Sequence, residues 1–276
     1  MKFLKVVACL TPIFLLMQSA EAHYPFVAPL SYQTFNNHTA VISGFYDNPF
    51  ASEVAIKNFQ FHFHTPAGAK IEISDDAWVK TQTLSSMSLE NKIDGTYRIR
   101  GVKQGSSARF ALYAKVWKSL IGGQPRADKV IPENVVYQSQ LKKKAQIKTV
   151  QTIELIETFI SRKVTSNQVI SHLHDGFDVQ FLTHPNAIQV NQPIQFKLID
   201  DKTGIPNLNV EILAQTTDFS RESKVYQKLT TDAQGNLNFN IKDKGQYLLK
   251  VDYQQPFENK GNDLKRYKYT LAFNVI

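Results

Sequence analysis

FQFHFHTP, residues 59–66, alternates phenylalanine with histidine at a period of two. In an extended chain that period sends Phe59, Phe61 and Phe63 to one face and His62 and His64 to the other. The stretch therefore reads as a strand with an aromatic core face. Its second face carries two imidazoles close enough to share one metal ion, or simply two solvated rings on a sheet surface.

The same β-branched and aromatic enrichment recurs outward from this stretch, at residues 41–45, 54–64, 97–101 and 109–117, punctuated by Pro, Gly, Asn and Asp. Residues 23–150 are expected to form an N-terminal β domain carrying the metal site. Further on, GNLNFNI (235–241) places Leu237, Phe239 and Ile241 on one face and asparagines on the other. TDAQG before it reads as a hairpin turn, with Gly235 able to take a positive φ. GQYLLKVDY and RYKYTLAFNV alternate in the same way, so residues 176–276 read as an immunoglobulin-like or transthyretin-like sandwich. Between the two lies QTIELIETFISRK (151–163), apolar at Ile153, Ile156, Phe159 and Ile160. That is helical spacing, although the β-branched content also allows a strand. Residues 151–175 are therefore expected to connect the domains through a short helix. The expected fold class is mainly β, with two β-sandwich domains.

The start of the chain reads as a leader. Lys2 and Lys5 precede an apolar run at residues 6–17, and Ala20 and Ala22 supply the small residues of a cleavage site. A signal peptide at 1–22, cut after Ala22, predicts an exported, periplasmic protein. The single cysteine, Cys9, would leave with it, so no disulfide or thiolate ligand is expected. Met87 is the one methionine beyond the leader, which excludes the sulfur-rich sites that hold Cu(I). The net charge is +8, with one tight basic run at Lys142, Lys143 and Lys144. In an exported protein this reads as a solvated face or a contact with an anionic envelope surface, and no nucleic-acid partner is expected.

All seven histidines follow the leader. Cleavage after Ala22 would make His23 the first residue, able to chelate an ion through its amine and imidazole together. With His62 and His64 the donor set is all nitrogen, which suits Ni, Co, Cu or Zn and not Ca or Mg. SHLHDGFD (171–178) holds a second His-x-His, His172 and His174, beside Asp175. It falls at the expected domain junction, where it is either a ligand site or a polar loop. QFHFHTP is similar to the zinc strand of α-type carbonic anhydrases. However, residues 65–171 contain no third histidine, and Ala67-Gly68-Ala69 replaces the following Ser-Glu-His of that family, so CO2 hydration is not expected.

HYPFVAP (23–29), the span from ETFISRK through LTHPNAIQV to NLNVEI (157–212), and TTDAQGNLNFNIKDKGQYLLKV (230–251) resemble the NikM-like family of exported proteins associated with nickel and cobalt uptake. The resemblance implies a periplasmic, two-part β protein that binds or hands over a transition metal near a membrane metal transporter. It implies His23 as the first candidate ligand and places His184 in the signature stretch. The leading expectation is a non-catalytic metal-binding protein. Two alternatives stand beside it: a copper-dependent polysaccharide oxidase with an N-terminal histidine clamp, and a metal-free structural or adhesive module. No nucleophile–base–acid spacing is present to argue for a hydrolase or transferase.

Overall fold

Alternation at a period of two governs the chain, and the fold is mainly β, as expected. The computed structural model describes residues 24–126, 130–215, 225–256 and 263–276. Its core is a central sheet of eleven strands, flanked by a five-stranded sheet on one face and a four-stranded sheet on the other. The five-stranded sheet includes Tyr24–Pro29, His38–Tyr46 and Ser85–Glu90. The four-stranded sheet includes Phe177–Phe181, Ile194–Asp200 and Asn236–Phe239.

The long strand Ile147–Arg162 runs through the middle of the central sheet. It pairs antiparallel with Gly95–Tyr113 from the first half and parallel with Leu264–Val275 from the second. This corrects the short helix expected within residues 151–175, and residue 150 falls inside the strand rather than at its edge. The physical reason is two-sided burial. Every residue from Leu155 to Ser161 is buried. A strand covered on both faces loses its polar/apolar alternation and can imitate helical spacing.

Register settles which residues share a face. His62 is opposite Arg100, Arg100 opposite Glu157, and Glu157 opposite Leu271. Leu271 packs in the core against the four-stranded sheet, with Phe177, Val179, Phe196 and Leu237. One residue along, Phe61 is opposite Gly101 and Gly101 opposite Ile156. Phe61 and Ile156 pack in the other core, with Val27, Val41 and Leu89 of the five-stranded sheet. The Phe/His alternation of residues 59–64 thus divides between two cores. Leu237, Phe239 and Ile241 are buried together, and Gly235 has φ +83°. The turn before them is an arch rather than a hairpin, because Val225–Thr230 belongs to the central sheet and Asn236–Phe239 to the four-stranded one.

Gly101 lets the Phe61 ring and Ile156 meet across the sheet. A Cβ there would lie 2.5 Å from the ring and 2.8 Å from Ile156. Both neighbours are buried, so neither has room to withdraw. Gly101→Ala is expected to cost about 1–3 kcal/mol of stability, as overpacking does. Urea denaturation of wild type and variant measures it, and an unchanged midpoint would contradict this packing.

Candidate metal centre

The strand Gln60–His64 presents His62 and His64 towards the four-stranded sheet, and both are buried, at 7% and 4% exposure. The alternative of two solvated rings on a sheet surface is therefore not met. Facing them is the loop between Arg162 and Phe177, which carries His172 and His174. Val169 and Ile170 root this loop in the core. Arg98 grips it by donating from Nη1 to the His172 carbonyl. Gly176, at φ +73°, turns the chain into the next strand, and its amide donates to Asp201 at 2.7 Å.

The result is a cluster of four imidazoles. Ring centroids are 5.4 Å apart for His62 and His64, 5.9 Å for His62 and His174, and 5.8 Å for His64 and His174. His172 is exposed, and its ring lies 4.7 Å from His64 and 5.1 Å from His174. His62, His64 and His174 each offer one ring nitrogen, and these three lie within 4.8 Å of one another. His62 Nε2, His64 Nδ1 and His174 Nε2 are buried without a hydrogen-bond partner. Leaving a buried polar atom unpaired costs about 1–3 kcal/mol. Three rings that each keep one such atom, and that each bring one nitrogen within 4.8 Å of the others, are a candidate site for a single cation.

The charge state of the rings favours a cation. Burial, then Lys70 and the neighbouring imidazoles, lower His62 to about 4. Burial, then His172, His174 and Arg98, lower His64 to about 4. Burial also lowers His174, against the opposing pull of Asp178. At neutral pH each of these rings is thus neutral and keeps one lone-pair nitrogen. His174 is also oriented. Its Nδ1 lies 3.0 Å from Asp178 Oδ2, and its backbone amide donates to the same oxygen at 2.8 Å. A carboxylate at Nδ1 holds the proton there and leaves Nε2 as the lone-pair nitrogen, the usual arrangement behind a metal-binding histidine.

Asp178 belongs to a buried ionic quartet. Arg98 donates from Nη2 to Asp178 at 2.9 Å and from Nε to Glu157 at 2.5 Å. Arg100 donates from Nη1 to Asp178 at 2.8 Å, and it also reaches Glu157 at 3.3 Å. Tyr269 donates its hydroxyl to Glu157 at 2.7 Å. Burial opposes ionisation of both acids, yet the two guanidiniums outweigh it, holding Asp178 well below the usual carboxylate range and lowering Glu157. Glu157, His174 and Asp178 also lie close enough to hold an ion. The arginines occupy those carboxylates, so a cation there would meet two fixed positive charges.

Among the sequence candidates, His62, His64, His172 and His174 come together. Asp175 is exposed and outside the converging donors. His184 is elsewhere, its nitrogens spent on Thr96, the Ser166 carbonyl and the Asn186 amide. His23 lies outside the described residues. Tyr24, which follows it, packs beneath Lys250 and Lys268. Those lysines alternate with Leu249 and Leu271, so Tyr24 lies on the opposite face of the central sheet from His62. Sequence reasoning passed over Arg98, Arg100, Glu157 and Asp178. The available signal was charge within apolar strands: two arginines at alternate positions in YRIRG, and Glu157 inside ELIETFI.

The chain belongs to the family described as Domain of unknown function (DUF4198), whose sequence profile matches residues 20–255. No curated protein matches it. Among solved structures it is similar to a DUF4785 family protein from Legionella pneumophila, at 9% identity and a TM-score of 0.24, covering 82% of this chain and 51% of that one. It thus spans about half the length of that protein. Escherichia coli alpha-2-macroglobulin activated by porcine elastase is 7% identical with a TM-score of 0.22, over 91% of this chain and 20% of that one. A marsupial T cell receptor is 9% identical with a TM-score of 0.20, over 91% of this chain and 74% of that one. Scores this low support no inference about function.

Two outcomes follow, the first for the metal-free protein and the second for added Ni(II). The unfolded histidines titrate near the ordinary value of 6.5 and the folded His62 and His64 near 4. The unfolded chain therefore binds more protons between those values. Their contribution to stability is full above pH 6.5 and is lost as pH falls through about 4. Urea midpoints across that window are expected to fall, and to fall less in a His62→Phe, His64→Phe double variant. Asp178→Asn is expected to weaken metal binding by about 10–100-fold, the usual effect of removing a carboxylate behind a ligand histidine. Calorimetric titration with Ni(II) measures it, and far-ultraviolet circular dichroism confirms that the variant is folded.

Proposed function

We propose that this DUF4198 family member binds a divalent transition-metal ion between His62, His64 and His174, and acts as a non-catalytic carrier in the periplasm. The observation that carries the reading is that His62, His64 and His174 each bring one ring nitrogen within 4.8 Å of the others, and that each keeps one buried ring nitrogen without a partner. Neutral imidazoles in a thiolate-free set suit Ni(II), Co(II), Cu(II) or Zn(II). Asp178 supports the reading by orienting His174, and the quartet supports it by being neutral overall, with two arginines against two acids.

Export and delivery to a nickel or cobalt transporter rest on the leader-like start and on the resemblance of residues 23–29, 157–212 and 230–251 to the NikM-like family. A carrier role is favoured over catalysis because Asp178 and Glu157, the carboxylates beside the rings, are held by Arg98 and Arg100. Neither is free to act as a base towards a bound water.

Native mass spectrometry with added Ni(II), Co(II), Cu(II) and Zn(II) tests the binding. One ion per chain is expected for wild type, with at least about a tenfold loss of affinity for His62→Ala or His174→Ala. No uptake of any of the four ions by the wild-type protein would remove the proposal.

A further inference from the structure

The four imidazoles are not equivalent. His62 and His64 are buried, His174 is half-buried, and His172 is exposed. The rings form a graded path. His172 lies against His64 and His174, and those two lie against His62. His64 and His174 therefore touch rings on both sides, exposed His172 outward and buried His62 inward, and it is with His62 that their donor nitrogens lie within 4.8 Å of one another.

The anchoring of His172 is also uneven. Its backbone carbonyl is held by Arg98, which also reaches the Val169 carbonyl at 3.5 Å. Ser171 beside it is tied through its amide, at 3.1 Å, and its hydroxyl, at 2.9 Å, to the Asn167 carbonyl. The backbone is thus fixed close to the site while the ring faces water. His174 differs, because Asp178 holds its ring.

We propose that His172 is the exchange ligand of this centre: it takes a hydrated divalent ion from solvent, presents it to His64 and His174, and yields its place to His62 as the ion moves inward. This rests on the metal-binding reading above. Each step is a dative substitution. An imidazole lone pair displaces one water from the ion, His62 replaces His172 in the last step, and the oxidation state of the ion does not change. The outward path is the same sequence reversed, so His172 also serves release to an acceptor. An exposed first ligand replaces one water while the rest of the hydration shell is still in solvent, which a buried ring cannot do.

The distinction is kinetic. A ligand that acts only along the path changes association and dissociation together and leaves their ratio, the affinity, in place. A resident ligand changes affinity, mainly through dissociation. Stopped-flow uptake of Ni(II) by the full-length protein, and its release into excess EDTA, separate the two. For His172→Ala and His172→Gln both rates are expected to fall together by about tenfold, with the dissociation constant changed by less than about threefold. His62→Ala is expected instead to accelerate release and weaken binding. If His172→Ala behaves like His62→Ala, His172 is a resident ligand and the proposal fails. If both rates and the affinity are unchanged, His172 is a bystander and the proposal fails. If wild type takes up no Ni(II), Co(II), Cu(II) or Zn(II), both this proposal and the metal-binding reading fall. Uptake by wild type with either earlier outcome overturns this one alone.

Discussion

Two arginines and two carboxylates with almost no access to water hold the halves of this molecule in register. Arg98 and Arg100 come from one strand of the central sheet, Glu157 from its neighbour, and Asp178 from the first strand of the four-stranded sheet. Removing an ion from water costs several kcal/mol even after relaxation, and pairing offsets this only when the remaining hydrogen-bonding capacity is filled. Here each acid is gripped by both guanidiniums and by one further residue, Glu157 by the Tyr269 hydroxyl and Asp178 by the amide and ring of His174. The Arg98 guanidinium also lies 5.6 Å from the Phe159 ring and 5.7 Å from the Phe181 ring, which face it from two sheets. A slip of one residue in the strand would turn the arginines into the apolar core of Phe61 and Ile156, where nothing could pair with them. The quartet therefore excludes that slip.

The histidine cluster inherits its geometry from this arrangement. His62 and His64 are carried by a strand whose partners in the ladder are Arg100 and Arg98 themselves. His172 and His174 are carried by a loop that Arg98 holds at a carbonyl and Asp178 holds at a ring and an amide. The same few charges thus bring two segments more than a hundred residues apart to one point and set the tautomer of one ring. Because the quartet sums to zero charge, it can do this without repelling a cation bound one layer away. The cost falls on the rings. His62, His64 and His174 each keep one buried ring nitrogen without a partner.

Local reading failed where burial was two-sided and succeeded where it was one-sided. Phe61 and His62 were separable because the two faces of their strand differ in chemistry, and Leu237, Phe239 and Ile241 because asparagines alternate with them. The stretch from Leu155 to Ser161 had no such contrast, since both of its faces lie in cores. Its apolar residues then matched a helical period by coincidence. Glu157 within that run was the informative residue. A lone acid in an apolar strand needs a buried partner, and Arg98 and Arg100, at alternate positions of another strand, are the partners.

The sequence by itself determined a mainly β chain, the two faces of the histidine strand, and two separate His-x-His pairs, because each depends on residues within a few positions of one another. Only the tertiary structure decided that the pairs belong to one centre, that His184 is occupied by hydrogen bonds, and that Tyr24 lies across the sheet from His62. Those facts depend on which strands become neighbours. The neighbours are set by long-range burial and by charge pairs that no local period encodes.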